Sequence, residues 1–270
     1  MYKLVACDLD ETLLSDDTHV SEENRYAIKQ LHKKGIKFVL ATGRGYRSVQ
    51  QTLQEIGLAN LADEYVISFN GACITENKNN RLIEFSGLEL PIAEKLYRIG
   101  QKYDVCIHVY TKDVVYVYNM NQDEREYMTG RHEFVEITDK TLEFLDGASI
   151  AKVIFGNTDQ AYLQTIEAEL GTLAQQLDIS YSSNRYLEFN QNGINKGYGL
   201  MKLAGLLAID AKETMALGDN YNDLSMIKVA GLGVGMKNTN PGMRAECDFI
   251  TENDNNHNGV AEALSKFILD

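Results

Sequence analysis

The chain has 270 residues, of which 44% are hydrophobic, and this is ordinary for one sizeable globular domain or two smaller ones. Its formal net charge of −13 at pH 7 argues against nucleic acid or an anionic membrane as the main partner, because both require a basic surface. No apolar run approaches the ~20 residues of a membrane span, and the charged Asp8 interrupts the amino-terminal segment before a signal-peptide core could form. The four cysteines form no CxxC pair, so we expect reduced thiols in a cytoplasmic protein.

Four short, continuously apolar runs are typical of parallel strands that are buried on both faces of a sheet. In chain order they are KLVACD, ending at Asp8; KFVLATG, containing Thr42; YVISFNG, containing Asn70; and TMALGD, ending at Asp219. Helical patterns at residues 21–34, 46–56 and 198–207 separate or follow them. The alternation predicts an α/β fold with a doubly wound (Rossmann-like), mainly parallel sheet that binds ligands beyond the carboxyl ends of its strands.

The middle of the chain has a different pattern. After the hairpin signal GACITENKNNRLIEF, a helical stretch with Ile92, Leu96 and Ile99 precedes the Tyr- and Val-rich strand pair VCIHVYTKDVVYVYN. A long amphipathic pattern over residues 163–177 and a second strand pair, ISYSSNRYLEFNQNG, follow. We therefore expect an inserted α+β domain at residues 85–184, within an α/β core formed by residues 1–84 and 185–270.

Asp8 and Asp10 follow the first strand and, two residues apart in an extended segment, point the same way. Two converging carboxylates need a cation between them, or one of them must remain protonated. With Mg²⁺ bound, Asp8 can act as ligand and nucleophile, and Asp10 can exchange a proton with a leaving group. The alternative is an acidic turn in which Asp10 or Glu11 caps a neighbouring element.

Polar residues also follow the second strand and begin a later helix. Thr42, Gly43 and Arg44 place a hydroxyl and backbone N–H groups at a strand-to-helix turn, which is typical of phosphate binding; taken alone, a capping Thr beside a turn Gly explains them better. Lys196 lies in or just before the first turn of a helix, where the helix dipole disfavours a cation by up to ~1 kcal/mol. A bound anion would remove this penalty, and a solvated lysine is the alternative.

The segment GDNYNDL closes the fourth strand. Asp219 lies where a metal ligand would be, and Asn222 and Asp223 follow as turn or cap residues. Asp223 either caps the next helix or supports the metal or Lys196. Two or three carboxylates suffice for Mg²⁺, which prefers hard oxygen ligands and retains water molecules.

The joint occurrence of these motifs, in this order at strand ends, resembles the haloacid dehalogenase-like hydrolases, and specifically the Cof-type phosphatases with a large α/β cap. DLDETLL is similar to the first motif of that family, LATGR to the second, NKG to the third and GDNYND to the fourth. ISFNGA and DNNHNGVAEAL also resemble this branch. The resemblance spans essentially the whole chain.

The resemblance implies a role for each matching residue. Asp8 would be the nucleophile that forms an aspartyl-phosphate, and Asp10 would be the general acid and base. Mg²⁺ would be held by Asp8, by the backbone carbonyl of Asp10 and by Asp219. The phosphate would contact Leu9 (through its backbone), Thr42, Gly43, Lys196 and Asn222. The supporting or substrate-proximal residues would be Asp223, Asn70, Gly71 and Arg44.

Glu11 departs from the pattern, since most close relatives in the family have Gly at this position. If the position requires a positive φ, Glu11 costs about 1 kcal/mol in backbone strain.

The resemblance predicts a Mg²⁺-dependent phosphatase for small phosphorylated metabolites such as sugar phosphates, flavin mononucleotide or pyridoxal phosphate, with specificity set by the inserted cap domain. A sugar phosphomutase shares the first step, and an isomer formed from a hexose 1-phosphate, rather than free phosphate, would identify it. A receiver-like signalling module also stores phosphate on Asp, but its length would be about half of this chain. A non-catalytic sensor of phosphorylated metabolites would not require intact Asp8, Asp10 and Lys196.

Overall fold

A computed structural model describes residues 1–130 and 133–270. Contacts divide the chain into two units, of which the first comprises Met1–Glu84 with Asn195–Asp270 and the second Phe85–Ile194. Within the described ranges, no helix combines the length and the apolar character needed to cross a membrane. The cytoplasmic location stays a prediction.

Helices and strands alternate in the first unit, whereas hairpins dominate the second. In chain order the strands are β1 (Leu4–Cys7), β2 (Lys37–Ala41), β3 (Tyr65–Ser68), β4 (Cys73–Glu76), β5 (Arg81–Phe85), β6 (Cys106–Thr111), β7 (Val115–Tyr118), β8 (Phe134–Ile137), β9 (Ile150–Gly156), β10 (Leu177–Ser182), β11 (Tyr186–Gln191), β12 (Thr214–Gly218), β13 (Leu232–Gly235) and β14 (Phe249–Ile250). The α-helices are α1 (Glu22–Lys33), α2 (Gln50–Glu55), α3 (Leu90–Gly100), α4 (Gln122–Met128), α5 (Gln160–Ala168), α6 (Lys196–Leu206), α7 (Leu224–Val229) and α8 (Gly259–Leu264).

The sheet of the first unit has the strand order β14-β13-β12-β1-β2-β3-β4-β5. β1 pairs in parallel with β2 on one side and with β12 on the other, and Cys7 at its end lies opposite Leu40 and Leu217. The pairs β2–β3, β12–β13 and β13–β14 are also parallel, and β3–β4 is antiparallel. The chain winds outward from β1 in both directions, so the boundary between β1 and β12 is the switch point at which doubly wound sheets bind ligands. The predicted α/β class is confirmed.

The two faces of this sheet carry separate apolar cores, because side chains alternate along each strand. Val5 and Cys7 of β1 belong to the cluster that includes α1. Leu4 and Ala6 belong to the cluster that includes Leu200 of α6. All four β1 side chains are fully buried. Burial on both faces explains the continuous apolar runs in the sequence and fixes the position of the polar residues that follow each strand.

Helix α1 begins as its sequence predicts, with Ser21 as N-cap accepting a hydrogen bond from the backbone N–H of Asn24 at 3.2 Å. The helix predicted over residues 46–56 is shorter, since α2 begins at Gln50. The side-chain amide of Gln50 donates to the carbonyl of Tyr46 at 2.6 Å. In a longer helix, the carbonyl of Tyr46 would accept the backbone N–H of Gln50. Here it accepts the Gln50 side chain, and the chain forms a turn before α2.

The second unit contains a sheet of order β10-β11-β9-β6-β7-β8, in which neighbouring strands are antiparallel except for β7 and β8. One face packs against α3 and α5 and includes Leu96, Leu163, Phe155 and Phe189. The rings of Phe155 and Phe189 meet edge to face at 4.8 Å. This arrangement is the α+β architecture expected for the middle of the chain.

The second unit extends ten residues beyond the expected boundary at residue 184, because β11 pairs with both β9 and β10 and the unit ends at Ile194. The helix pattern over residues 163–177 is also interrupted. α5 ends at Ala168, Gly171 adopts a left-handed φ of 56°, and Leu177 begins β10.

The other face of the second sheet carries buried charged side chains. The ammonium of Lys152 pairs with the carboxylate of Glu188 and lies 5.0 Å from the ring centre of Tyr110. His108 is fully buried, with Nε2 3.4 Å from a carboxylate oxygen of Glu124. The alternation along these strands therefore separates the face that packs against α3 and α5 from a face that carries these buried charges and contacts Glu124 of α4.

Candidate active site

Asp8 is the first residue after β1, and it is only 6% exposed. Its backbone N–H donates to the carbonyl of Leu217 at 2.9 Å, which continues the pairing of β1 with β12. Its Oδ1 accepts a hydrogen bond from Nζ of Lys196. Leu9–Leu13 then form a short, wide turn, within which Asp10 keeps extended dihedral angles (φ −73°, ψ 132°).

Asp10 lies in this wide turn and pairs with Arg44. Nε of Arg44 donates to Oδ2 of Asp10 at 2.9 Å, and a second guanidinium N–H donates to Oδ1, so the pair is bidentate. The side chain of Asp10 remains 47% exposed. The carboxylate of Asp10 is thus directed at Arg44, and its convergence with Asp8 stays a prediction. The proton-transfer role of Asp10 and the metal contact of its backbone carbonyl stay predictions.

Asp219 is the first residue after β12 and is buried. The hydroxyl of Thr12 donates to its Oδ1 at 2.6 Å. One carboxylate oxygen from each of Asp8, Asp219 and Asp223 lies within 4.8 Å of the others. The parallel strands thus bring together carboxylates that are about 210 residues apart in the sequence, as the sequence predicts for Asp8 and Asp219.

Asp223 is fully buried and acts in two ways. Its Oδ2 accepts the backbone N–H groups of Asp219 and Asn220 at 2.9 and 3.0 Å, and its Oδ1 accepts Nζ of Lys196 at 2.6 Å. A Cβ at Gly218 would lie 2.5 Å from this side chain, so only glycine fits beneath it. Asp223 therefore both closes the turn after β12 and supports Lys196.

Lys196 is the first residue of α6 and is fully buried. The side chain of Asn195 caps this helix by accepting the backbone N–H of Tyr198 at 3.0 Å. The Lys196 ammonium binds both Asp8 and Asp223. A buried ammonium at the positive end of a helix is stable only with such anionic partners, and the solvated-lysine alternative is wrong.

The buried charges alter one another's protonation. Burial, followed by repulsion from Asp223, raises the pKa of Asp8 to about 7, although Lys196 opposes the shift. Burial, followed by repulsion from Asp223 and Asp8, raises the pKa of Asp219 well above its ordinary value. Burial opposes the charge on Lys196, but Asp223 and Asp8 outweigh it and raise the pKa of the ammonium.

The carboxylate cluster fits a divalent cation. Lys196 supplies one positive charge against three carboxylates, so the fully ionised cluster carries a surplus of negative charge. A divalent cation would balance this surplus, and carboxylate oxygens are the ligands that Mg²⁺ prefers. The donor set is therefore chemically suited to Mg²⁺.

The predicted phosphate-binding residues lie at the same edge of the sheet. Thr42 follows β2 and is buried, and its Oγ1 accepts the backbone N–H of Arg44 at 3.1 Å. This is the capping contact of the simpler alternative, and it leaves the hydroxyl hydrogen for another acceptor. Gly43 and Asn222 are half-buried, in the turns after β2 and β12. Their contacts with phosphate stay predictions.

The turn after β3 supports the start of α6. Phe69, Asn70 and Gly71 all have positive φ, at 52°, 55° and 95°, and the backbone N–H of Asn70 donates to the carbonyl of Thr42 at 3.0 Å. A Cβ at Gly71 would lie 2.1 Å from the carbonyl oxygen of Asn195. Gly71 thus permits backbone contact with the residue that precedes Lys196, and a contact of Asn70 or Gly71 with substrate stays a prediction.

Glu11 has a φ of 59° and a ψ of 8°, so the position does use the left-handed conformation that glycine favours. Its carbonyl accepts a hydrogen bond from Nδ2 of Asn238 at 2.7 Å. Thr12 and Asn238 were not predicted from the sequence. Thr12 lies within DLDETLL, but the sequence assigned no role to Thr12 or Asn238, because each contacts a partner more than 200 residues away.

Comparisons with known proteins agree with this arrangement. A model of the haloacid dehalogenase-like hydrolases matches residues 5–264. Two proteins of Bacillus subtilis (strain 168) are each 32% identical to this chain. "Putative phosphatase YxeH" aligns over 100% of this chain and 99% of its own length, and 5-amino-6-(5-phospho-D-ribitylamino)uracil phosphatase YcsE over 99% and 96%. The crystal structure of a haloacid dehalogenase-like hydrolase from Bacteroides thetaiotaomicron is 28% identical and superposes with a TM-score of 0.83, over 99% of this chain and 100% of that one.

Proposed function

The chain belongs to the haloacid dehalogenase-like hydrolase family, and from that premise we propose that it is a Mg²⁺-dependent phosphatase that forms an aspartyl-phosphate on Asp8. Its class, a hydrolase of the phosphatase type, follows from its relatives. The metal, the nucleophile and the substrate belong to the proposal. The observation that carries it is the buried arrangement in which Lys196 joins Asp8 to Asp223 beside Asp219.

In the first step, a carboxylate oxygen of Asp8 attacks the phosphorus of a phosphate monoester. The bond between phosphorus and the ester oxygen breaks, and Asp10 gives a proton to the departing oxygen. The product is an aspartyl-phosphate on Asp8 and a free alcohol. Lys196 keeps its charge throughout and offsets the negative charge of the phosphoryl group.

In the second step, Asp10 takes a proton from a water molecule, and the resulting oxygen attacks the same phosphorus. The bond between Asp8 and phosphorus breaks, which releases inorganic phosphate and restores both carboxyl groups. The pairing with Arg44 bears on both steps, because Asp10 must exchange the guanidinium for substrate or water. Its 47% exposure supports this exchange.

Other residues of the first unit complete the phosphate site. The hydroxyl of Thr42 and the backbone N–H groups of Leu9 and Gly43 donate to phosphate oxygens, together with Asn222. Asp8, the backbone carbonyl of Asp10 and Asp219 would hold Mg²⁺, which when bound neutralises charge on the phosphate.

The substrates we propose are small phosphorylated metabolites, such as sugar phosphates, flavin mononucleotide or pyridoxal phosphate. The name of YcsE supports this class, because its substrate is a phosphorylated ribityl compound. We assign substrate selection to the second unit, the expected cap domain.

The experiment that tests this function measures phosphate release from a panel of such esters, with Mg²⁺ or with EDTA. Wild-type protein and Asp8→Asn are compared, and Asp17→Asn serves as the control, since Asp17 is an exposed aspartate of the following loop. We expect turnover that requires Mg²⁺, is lost in Asp8→Asn and persists in Asp17→Asn.

Two outcomes would contradict the proposal. Turnover in EDTA, or in Asp8→Asn, would exclude the metal or the nucleophile. Conversion of a hexose 1-phosphate into an isomer without free phosphate would identify a mutase instead.

A further inference from the structure

Thr12 lies in the wide turn after β1, and its side chain is fully buried. Its hydroxyl donates to Oδ1 of Asp219 at 2.6 Å. The turn itself is closed by a backbone hydrogen bond from Leu14 to Leu9 at 2.9 Å, which does not involve the Thr12 side chain. The hydroxyl is therefore directed at the carboxylate rather than at the local backbone.

The backbone of Asp219 is held on both sides, but these contacts leave its carboxylate free to rotate. Its N–H donates to Asp223 at 2.9 Å, and its carbonyl accepts the N–H of Asn240 at 2.8 Å. A group that binds one oxygen of a ligating carboxylate orients the other, and loss of such partners weakens metal binding.

We propose that Thr12 is a positioning residue for the divalent cation: its hydroxyl holds one oxygen of Asp219 so that the carboxylate is oriented within the cluster with Asp8 and Asp223. The inference rests on the metal site of the proposed function and requires no particular substrate. It gives a role to a residue that the proposed function uses neither for substrate nor as a ligand of the cation.

The test compares three variants in metal binding. Thr12→Val has nearly the same shape without the hydroxyl, and Thr12→Ser keeps the hydroxyl. Thr214→Val is the matched control, because Thr214 is also fully buried, and its hydroxyl donates to the carbonyl of Ala211 at 2.7 Å at the opposite end of β12 from Asp219. Mn²⁺ is titrated into metal-free protein while free Mn²⁺ is followed by electron paramagnetic resonance, and MgCl₂ then displaces it.

We expect Thr12→Val to bind Mn²⁺ and Mg²⁺ about 10-fold or more weakly, while Thr12→Ser and Thr214→Val bind like the wild-type protein. Unchanged binding in Thr12→Val, equal loss in Thr12→Ser and Thr12→Val, or a wild-type protein that binds no Mn²⁺ would each overturn the inference. Circular dichroism in EDTA verifies folding, and Thr12→Ala replaces Thr12→Val if the latter does not fold. The assay contains no substrate, so lack of phosphatase activity would contradict the proposed function while leaving this result intact.

Discussion

Replacement of Lys196 by Met removes the buried ammonium that joins Asp8 to Asp223. Met has a similar volume, so the loss is mainly electrostatic. Removing one partner of a buried ion pair leaves an uncompensated charge, and we expect the free energy of unfolding to fall by about 3–5 kcal/mol at neutral pH without metal. At about 2–4 °C per kcal/mol for a protein of this size, Tm falls by about 6–20 °C.

The assay is urea and thermal unfolding in EDTA and again with Mg²⁺, with two other lysines as controls. Lys152→Met removes a second buried ammonium, paired with Glu188 in the second unit, and we expect a comparable loss. Lys212→Met changes a side chain that is 80% exposed and has almost no effect. Mg²⁺ should restore stability to Lys196→Met more than to Lys152→Met, because a cation at the carboxylate cluster replaces the missing charge.

Two results would refute this reasoning. In the first, Lys196→Met in EDTA remains within about 1 kcal/mol of the wild-type protein, which is the scale of a surface ion pair. In the second, Mg²⁺ restores Lys152→Met as strongly as Lys196→Met, which would show that the added stability does not come from the cluster.

Three further predictions concern stability. In EDTA, the free energy of unfolding should fall as pH rises from about 4 to about 7. The pKa of Asp8 is raised to about 7 in the folded state, so the folded protein keeps this proton after the unfolded chain has lost it. Asp8→Asn should flatten the pH dependence of the urea midpoint, and an unchanged pH dependence would contradict the assignment to Asp8. Glu11→Gly should raise the free energy of unfolding by about 1 kcal/mol, because glycine adopts the left-handed conformation without strain, whereas Glu11→Gln should not. Equal effects of the two substitutions would show that the negative charge of Glu11, and not its backbone conformation, is destabilising. Gly71→Ala should destabilise the protein much more than Gly57→Ala. Both glycines have positive φ, but only the Cβ at Gly71 would clash, at 2.1 Å from the carbonyl oxygen of Asn195. Similar Tm values for the two variants would exclude that clash.

Much of the site could be predicted because its residues follow buried strands. The carboxyl ends of parallel strands lie at one edge of a sheet, so the apolar runs place Asp8 and Asp219 at the same edge. The observed pairing of β1 with β12 then makes them neighbours. Lys196 could be predicted for a related reason, since a lysine opposing its own helix dipole needs an anionic partner. In each case a short pattern carries the information, because the constraint is local or is imposed by the sheet.

The remaining features depend on contacts that no short pattern contains. The pairing of Asp10 with Arg44 joins residues 34 positions apart. The contact between Thr12 and Asp219 joins residues 207 positions apart. The predicted boundary of the second unit at residue 184 differs from the observed one for the same reason. β11 belongs to the second unit because it pairs with β9, and its composition does not indicate this pairing.

The order of the strands also has a consequence for synthesis. β1 lies between β2 and β12, but β12 begins only at Thr214. At about 5–20 residues per second, a ribosome needs roughly 10–40 s to make the ~200 residues between β1 and β12. During that interval β1 exposes one unpaired edge, and Asp8 has neither Lys196 nor Asp219 beside it. The nascent chain is therefore vulnerable to edge-to-edge association until β12 has emerged.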